Sequence, residues 1–391
     1  MSELLKDNRR LLSYIIISNL LMSFGFQVWQ ALFNNYAVEE MSIGPAAVGL
    51  VQAVREVPGL LSFLFGVLAF VLSEVRIMAL STILLGAGIV LTGGATNLTW
   101  LLVSTLVMST GFHFFTPGSS ALVLMAVKQD QTPRTLGQLA SLGSIAALAA
   151  TAVVYLLTGG WGYRTLFVVV GAVVLVGGMV LWPLGPRGEG LPARRRVVLR
   201  RRYWLYYALA FLMGSRRHIF TTFAIYLLVR EHGISVQTTA VLFLVNSLVN
   251  VYTLRAAGQL VGRFGERRIL SIAFISLAVI FVGYAYVAYL PLLFALFVLD
   301  NILFGAGLAV TTYFQKIAIS KDEITGNVAV EQAINHISAV VVPLIGGLAW
   351  ETFGAQAPFL VGVLIVLAAF GLVQMMRVPP PEAVAVEPAL P

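Results

Sequence analysis

The sequence predicts an all-α integral membrane protein with twelve transmembrane helices in two pseudo-symmetric six-helix bundles. Three observations carry this. The chain is 59% hydrophobic and only 11% charged over 391 residues, where an ordinary soluble domain carries about 25% charged residues. Its apolar residues gather into stretches that suit a bilayer, which takes about 20 residues per helix. The second half also partly repeats the first at a shift of 192 residues. Such a composition argues against a soluble enzyme. The absence of cysteine excludes disulfides, iron–sulfur clusters and thiolate metal sites.

Taken in order, the apolar stretches fall near residues 12–36, 45–72, 77–94, 99–126, 136–158, 163–185, 204–229, 236–261, 269–288, 290–315, 327–350 and 356–376. Most are too long and continuous for the core helices of a soluble domain. The first lacks a small-residue cleavage site and reads as a retained anchor. Basic residues set the orientation. With the N-terminus inside, 19 of the 25 Lys and Arg fall on inner segments, and only Arg164 and Arg230 on outer loops. Arg55, Arg216, Arg217 and Arg255 lie within spans. This bias puts both termini in the cytoplasm of a prokaryotic inner membrane. The net charge of +8 is therefore a topology signal, and no nucleic-acid partner is expected. The run from Arg194 to Arg202 could also touch anionic headgroups of membrane lipids.

Four segments follow. Residues 1–185 form the first bundle, 186–203 a basic cytoplasmic linker, 204–377 the second bundle and 378–391 a disordered tail. No loop is long enough for a catalytic or nucleotide-binding domain. There is no G-x-x-x-x-G-K-[ST] motif, and no nucleophile–base or metal constellation stands at an interface. An enzyme is not expected, nor is a cofactor. Asn97-Leu98-Thr99 matches a glycosylation sequon in a very short outer loop, a chance match.

The repeat places Glu74-Val75-Arg76-Ile77 on Glu266-Arg267-Arg268-Ile269, Gly66 on Gly258, and Gly162 and Phe167 on Gly354 and Phe359. Two halves of like orientation make a parallel repeat, and the substrate of such transporters binds at the midplane between them. The segment Gly258-Gln259-Leu260-Val261-Gly262-Arg263-Phe264-Gly265-Glu266-Arg267-Arg268 resembles the gating-loop motif of the major facilitator superfamily, G-x-L-x-D-R-x-G-x-R-R. Gly262 stands where the family has Asp. The first-half counterpart keeps only Gly66, Leu68, Ala69 and a displaced basic residue. Trp161-Gly162-Tyr163-Arg164 is also similar to the family. The resemblance covers the twelve spans and implies a transporter whose halves rock, with spans 1, 4, 7 and 10 along the pathway.

Those spans carry polar stripes at helical spacing. Span 1 has Ser23, Gln27, Gln30 and Asn34; span 4 has Ser109, His113, Thr116 and Ser120. Span 7 has Gly214, His218 and Thr221 with Arg217 alongside; span 10 has Asp300, Gly307 and Thr311, with Asn301 next to Asp300. A water-filled cavity requires such faces, although Ser, Thr and Gly also serve helix packing. Arg55 and Glu56 in span 2, Arg216, Arg217 and His218 in span 7, and Asp300 in span 10 lie at mid-membrane depth. There each charge costs at least ~2.5–3.5 kcal/mol before pairing. Arg55–Asp300 or Glu56–Arg217 pairs could simply lock the halves. Alternatively an arginine, Arg217 first, binds an anionic group through its planar fork. Pro58, one turn after Arg55, bends its helix.

The expected function is secondary transport of a small organic anion or zwitterion by a monomer, coupled to protons or another ion. Substrate binds Arg217 with Arg55 or Arg216, and Gln27, Gln30 and Asn34 give polar specificity. His113, Asn301 and His336 are further cavity candidates. Glu56, then Asp300, are the proton-coupling candidates. Gly258, Arg263, Gly265, Arg267 and Arg268 form the gating loop. One alternative is export of lipophilic compounds, served by 24 Phe and 10 Met. Another is a divalent metal on His113, His218, His336, Asp300 and Glu56, which nearby arginines oppose.

Overall fold

The computed structural model describes residues 2–62, 64–69, 71–127, 132–185 and 199–377. Most of the linker expected over 186–203, the tail expected over 378–391 and the inner-loop Lys128 lie outside these residues. The order is α1 Ser2–Asn35, extended by a π-turn Tyr36–Glu40, then α2 Pro45–Leu60, α3 Leu64–Leu68, α4 Glu74–Gly93, α5 Leu98–Ala126 and α6 Thr132–Leu184. After these come α7 Trp204–His232, α8 Val236–Phe264, α9 Glu266–Tyr286, α10 Leu290–Leu303, α11 Leu308–Ile317, α12 Lys321–Phe353 and α13 Ala357–Gln374. Among the described residues there is no strand.

Eight of the helical stretches are long and apolar enough to cross a membrane. One, Thr135–Leu184, is 50 residues long and breaks at Gly162 (φ 73°, ψ 168°), so α6 makes two passes. Glycine alone reaches that conformation without steric cost. Helices α10 and α11 make a single pass through the 3-10 turn Phe304–Gly307. The pair α2–α3, α7 and α8 complete the twelve. Of these, α2 has 16 residues, α8 has a shorter apolar stretch, Val236–Asn250, and α7 carries Arg216 and Arg217 mid-helix. The outer surface is apolar, with Leu156 72% and Val279 63% exposed. Water would penalise that surface, and lipid tails accept it.

The repeat is visible in the backbone. Gly162 and Gly354 both take positive φ, 73° and 91°. Phe167 and Phe359 are both fully buried. Glu74 and Glu266 open α4 and α9, and Asn97 and Tyr289 sit at the N-caps of α5 and α10. The Asn97 side chain accepts the Trp100 N–H at 2.9 Å. A capping role thus accounts for this residue without glycosylation.

Two compact units divide the chain. The first is drawn from Met1–Ala193 with Leu228–Leu244, the second from Arg194–Leu227 with Val245–Pro391. In the first unit α4 packs closely on α5 and on α6. A Cβ at Gly86 would lie 2.3 Å from the Leu175 nitrogen, one at Gly88 2.2 Å from the Met108 nitrogen, and one at Gly111 2.3 Å from the Ser81 carbonyl. Small residues permit such approach in helices that share a lipid solvent. Gly86→Val is expected to destabilise the protein by about 1–3 kcal/mol, read as a lower Tm of the purified chain. Gly137→Val should change little, since a Cβ there meets nothing within 4 Å. Equal Tm values for the two variants would contradict this packing.

The two basic residues assigned to outer loops both close backbone ends in this unit. Arg164 pairs with Glu40 at 2.7 Å, and its Nη1 donates to the Gly93 and Ala95 carbonyls at 3.3 and 2.9 Å. These carbonyls lie at the end of α4, where a helix leaves its last acceptors unmet. Arg230 donates to the Ile43 carbonyl at 3.4 Å.

In the second unit the end of the linker is anchored. Arg200 donates to both Glu323 oxygens, the shortest contact being 2.6 Å. The Tyr203 hydroxyl donates to Glu323 Oε2 at 2.6 Å and accepts the Ile319 N–H at 3.1 Å. The Arg200 guanidinium holds the Glu323 carboxyl below the usual carboxylate range. Burial, then the bond to Glu323, pushes the Tyr203 hydroxyl up to about 12. A carboxyl lowered by folding stabilises above its unfolded pKa, and the gain is lost as pH falls through the folded value. Acidifying below about pH 5 should therefore loosen this anchor. Glu323→Gln should remove that part of the Tm-versus-pH slope, and an unaltered slope would exclude it.

Candidate functional site

The second unit contains a cavity of about 320 Å3 between α7, the α10–α11 turn and α12. Its α7 wall includes Ala210, Met213, Gly214 and Arg217, an i, i+3, i+4, i+7 pattern that shares one helical face. Its α12 wall is Glu331, Gln332 and Asn335, and Thr311 adds a hydroxyl from α11. Gly305 and Gly307 in the turn keep that side free of bulky side chains.

Neighbouring residues on a helix point about 100° apart, and this separates the two arginines. Arg216 is 1% exposed and its Nη1 meets Asp300 Oδ1 at 3.0 Å. Arg217 is exposed, and its guanidinium lies over the Phe304 ring, 4.6 Å from the centroid. Both residues line the cavity, and Asp300 meets the Arg216 charge. Asp300 itself is buried. His218, next in the chain, is also buried, whereas Thr221 is exposed.

Glu331 shares the cavity wall, and the Tyr206 hydroxyl donates to its Oε2 at 2.7 Å. Neither Glu331, Gln332 nor Tyr206 was among the residues singled out from sequence. The signal was present as Glu331 and Asn335 at i and i+4 in span 11. His336 follows Asn335 on α12 and is half-buried. Asn301 turns to α8 instead. Its Nδ2 donates to Asn250 Oδ1 at 3.0 Å and to the Asn246 carbonyl at 3.2 Å.

The first unit holds a second polar cluster. Arg55 Nη2 meets Glu56 Oε1 at 2.7 Å, and His113 Nε2 lies 3.7 Å from Glu56 Oε2. The Arg55, Glu56 and His113 side chains are 16%, 9% and 10% exposed. Within each unit an ion pair forms at this depth, Arg55–Glu56 in the first and Arg216–Asp300 in the second. Pro58 lies inside α2, and the Ser109 hydroxyl donates to the Arg55 carbonyl three residues before it. Ser109 therefore supports backbone, while Thr116 on the same stripe is exposed.

Along α1, Gln27 donates to Thr151 Oγ1 at 3.3 Å, and Gln30 is half-buried. Asn34 is buried, and its Oδ1 finds no hydrogen-bond partner among the described residues. The neighbouring Asn35, which the stripe did not include, bonds more extensively. It donates to Glu39 Oε1 at 2.8 Å and to the Ile234 carbonyl at 2.9 Å, and accepts from Thr239 at 3.1 Å.

The gating-loop segment joins α8 to α9. Gly265 takes φ 79° as the N-cap of α9, and Gly258 lies one and a half turns before the end of α8. Arg267 bonds the Gln374 side chain at 3.0 Å, Arg263 lies 5.2 Å over the Phe264 ring, and Arg268 is exposed. Glu266 pairs with Lys316 at 2.6 Å. A Cβ at Gly262, the position of the family's Asp, would meet nothing within 4 Å.

A family model for the Major Facilitator Superfamily matches residues 15–320. Among solved structures, a bacterial homologue of the human lysosomal transporter Spinster, inward-facing and unoccupied, superposes with a TM-score of 0.76. It is 16% identical over 95% of this chain and 97% of its own. The nucleoside transporter NupG superposes with a TM-score of 0.74 at 14% identity, over 94% of this chain and 98% of its own. At such identities these likenesses speak for the fold. The comparison with curated proteins returned no match.

Proposed function

The chain belongs to the major facilitator superfamily, and from that premise we propose that it is a secondary active transporter of a small organic anion or zwitterion, working by alternating access and coupled to protons. In this reading it acts as a monomer in a prokaryotic inner membrane, both termini cytoplasmic. The observation that supports it best is Arg217 on the wall of a cavity of about 320 Å3, with Gln332, Asn335 and Thr311 around it. That volume sits at the lower end of small-molecule pockets, which run roughly 300–1,000 Å3. A guanidinium offers two parallel donors to a carboxylate or phosphate, the geometry that makes such pairs strong. Gln332, Asn335 and Thr311 can donate to or accept from the rest of the molecule.

Proton coupling is assigned to the Arg55–Glu56–His113 cluster, with Asp300 as the second candidate. Glu56 can take a proton when Arg55 moves from it to another anion, and His113 is close enough to exchange that proton. Gln27, Gln30 and Asn34 of α1 give polar selectivity in the same unit.

Arg217→Ala tests the reading. Charge-assisted bonds contribute about 1.5–3 kcal/mol, so binding of small carboxylates should weaken about 10- to 100-fold. Tm without ligand, read in the same experiment, shows that the variant still folds. A thermal-shift screen of carboxylate and phosphate metabolites on both proteins makes the measurement. Equal affinities in the variant and the wild type would sink the proposal.

A further inference from the structure

In the first unit a groove of about 620 Å3 runs between α1 and the second pass of α6. Every residue on its walls is aliphatic or glycine. Ile17 and Leu21 form the α1 wall, and Val173, Val176, Val180 and Leu184 share one face of α6 opposite. A Cβ at Gly177 would lie 2.6 Å from Leu21 Cδ1, so the glycine lets the two helices meet there. From Ala172 to Leu184 the α6 wall is about 18 Å long at 1.5 Å per residue. The hydrocarbon core of a bilayer is about 30 Å thick, so the groove is about as long as one leaflet.

One end of the groove lies at the membrane edge. The membrane-crossing stretches Arg10–Glu40, Glu74–Gly93 and Thr135–Leu184 have ends at Arg10, Glu74 and Leu184, and these ends come together. The Tyr14 hydroxyl donates to the Val75 carbonyl at 2.6 Å. Gly185, next after Leu184, packs so closely that a Cβ on it would run into the Val75 side chain. Arg10 shares a face of α1 with Ile17 and Leu21, two and three turns on. Arg76 follows Val75. Both arginines are exposed, and neither has an acidic partner among the described residues. Glu74 is fully buried and so does not offset them at the surface.

Two cations thus stand at the rim of an aliphatic groove one leaflet long. A phospholipid has the matching pattern, a hydrocarbon chain that ends in a phosphate. A second copy of the chain fits less well. Its helices would cross both leaflets, and a two-fold contact would set each copy's Arg10 and Arg76 beside the other's. We propose that this groove holds one acyl chain of an anionic phospholipid whose headgroup is met by Arg10 and Arg76.

The test titrates three probes onto the purified, delipidated full-length chain, read by native mass spectrometry. They are phosphatidylglycerol, phosphatidylcholine with the same chains, and glycerol 3-phosphate. Each arginine near an anionic lipid contributes about fivefold in affinity. Wild type is expected to bind phosphatidylglycerol about tenfold or more tighter than phosphatidylcholine, and glycerol 3-phosphate not measurably. Arg10→Gln/Arg76→Gln should remove that preference and leave phosphatidylcholine binding unchanged, whereas Arg10→Lys/Arg76→Lys should keep it. Val176→Phe/Val180→Phe fills the groove and should weaken both lipids about tenfold. Val279→Phe, at an exposed position of α9, should change neither. Tm of each variant checks its fold. The inference is overturned if the two lipids bind alike, if glycerol 3-phosphate binds as well as phosphatidylglycerol, or if the groove-filling variant binds like wild type. A wild-type dimer that Val176→Phe/Val180→Phe dissociates would also overturn it and give the groove to a second copy.

Discussion

Asp300→Ala is expected to destabilise the protein by about 3–5 kcal/mol, enough to deplete the folded form in the membrane. The cause is what it leaves behind. Arg216 is 1% exposed and meets Asp300 at 3.0 Å. Without the carboxylate a guanidinium stands buried and uncompensated. Arg216→Met alone strands Asp300 in the same way. The double variant Arg216→Met/Asp300→Leu removes both charges and should recover most of the stability, as replaced buried pairs often do. Tm and the monodisperse fraction on size exclusion measure the series. Single variants as stable as wild type would mean that the pair does not hold the second unit together.

The second large effect concerns coupling. Glu56→Gln should abolish accumulation driven by a pH gradient while counterflow exchange of substrate continues. Glutamine keeps the shape beside Arg55 and His113 but cannot take up a proton. Each proton carried is worth about 1.36 kcal/mol per pH unit, a tenfold accumulation, and the variant should fall to none. His113→Gln should slow uptake with less effect on the final gradient. Proteoliposomes with an imposed pH gradient give both readings. Uphill uptake by Glu56→Gln would move the coupling role to another carboxylate.

Much of this architecture was legible in the sequence because lipid imposes simple rules on composition. Long apolar stretches had to be spans, and the repeat at 192 residues is visible in backbone angles at Gly162 and Gly354. Helix ends followed local chemistry, as at Pro45, which opens α2, and at Gly265 before α9. The partners of the buried charges were less legible. Periodicity sets a residue's face on its own helix, but not which residue of another helix faces it. Arg216 and Arg217 read alike in sequence, and only packing shows that one meets Asp300 while the other overlies Phe304. Asn301 was read as a cavity group because it adjoins Asp300, yet it bonds Asn250 of α8. Nothing in the sequence pairs Glu331 of α12 with Tyr206 of α7, which only the packing of the two helices brings together. The break at Phe304–Gly307 opens the cavity beside it.

The left-handed glycines at 162 and 354 have an evolutionary consequence. They turn the chain at the same point in two halves whose side chains have otherwise drifted apart. A duplicated ancestor explains this, because only an achiral residue passes that bend without strain. One half carries the Arg55–Glu56–His113 cluster and the other a cavity lined by Arg217 and Glu331. Copies that keep one backbone bend are thus free to carry different polar groups.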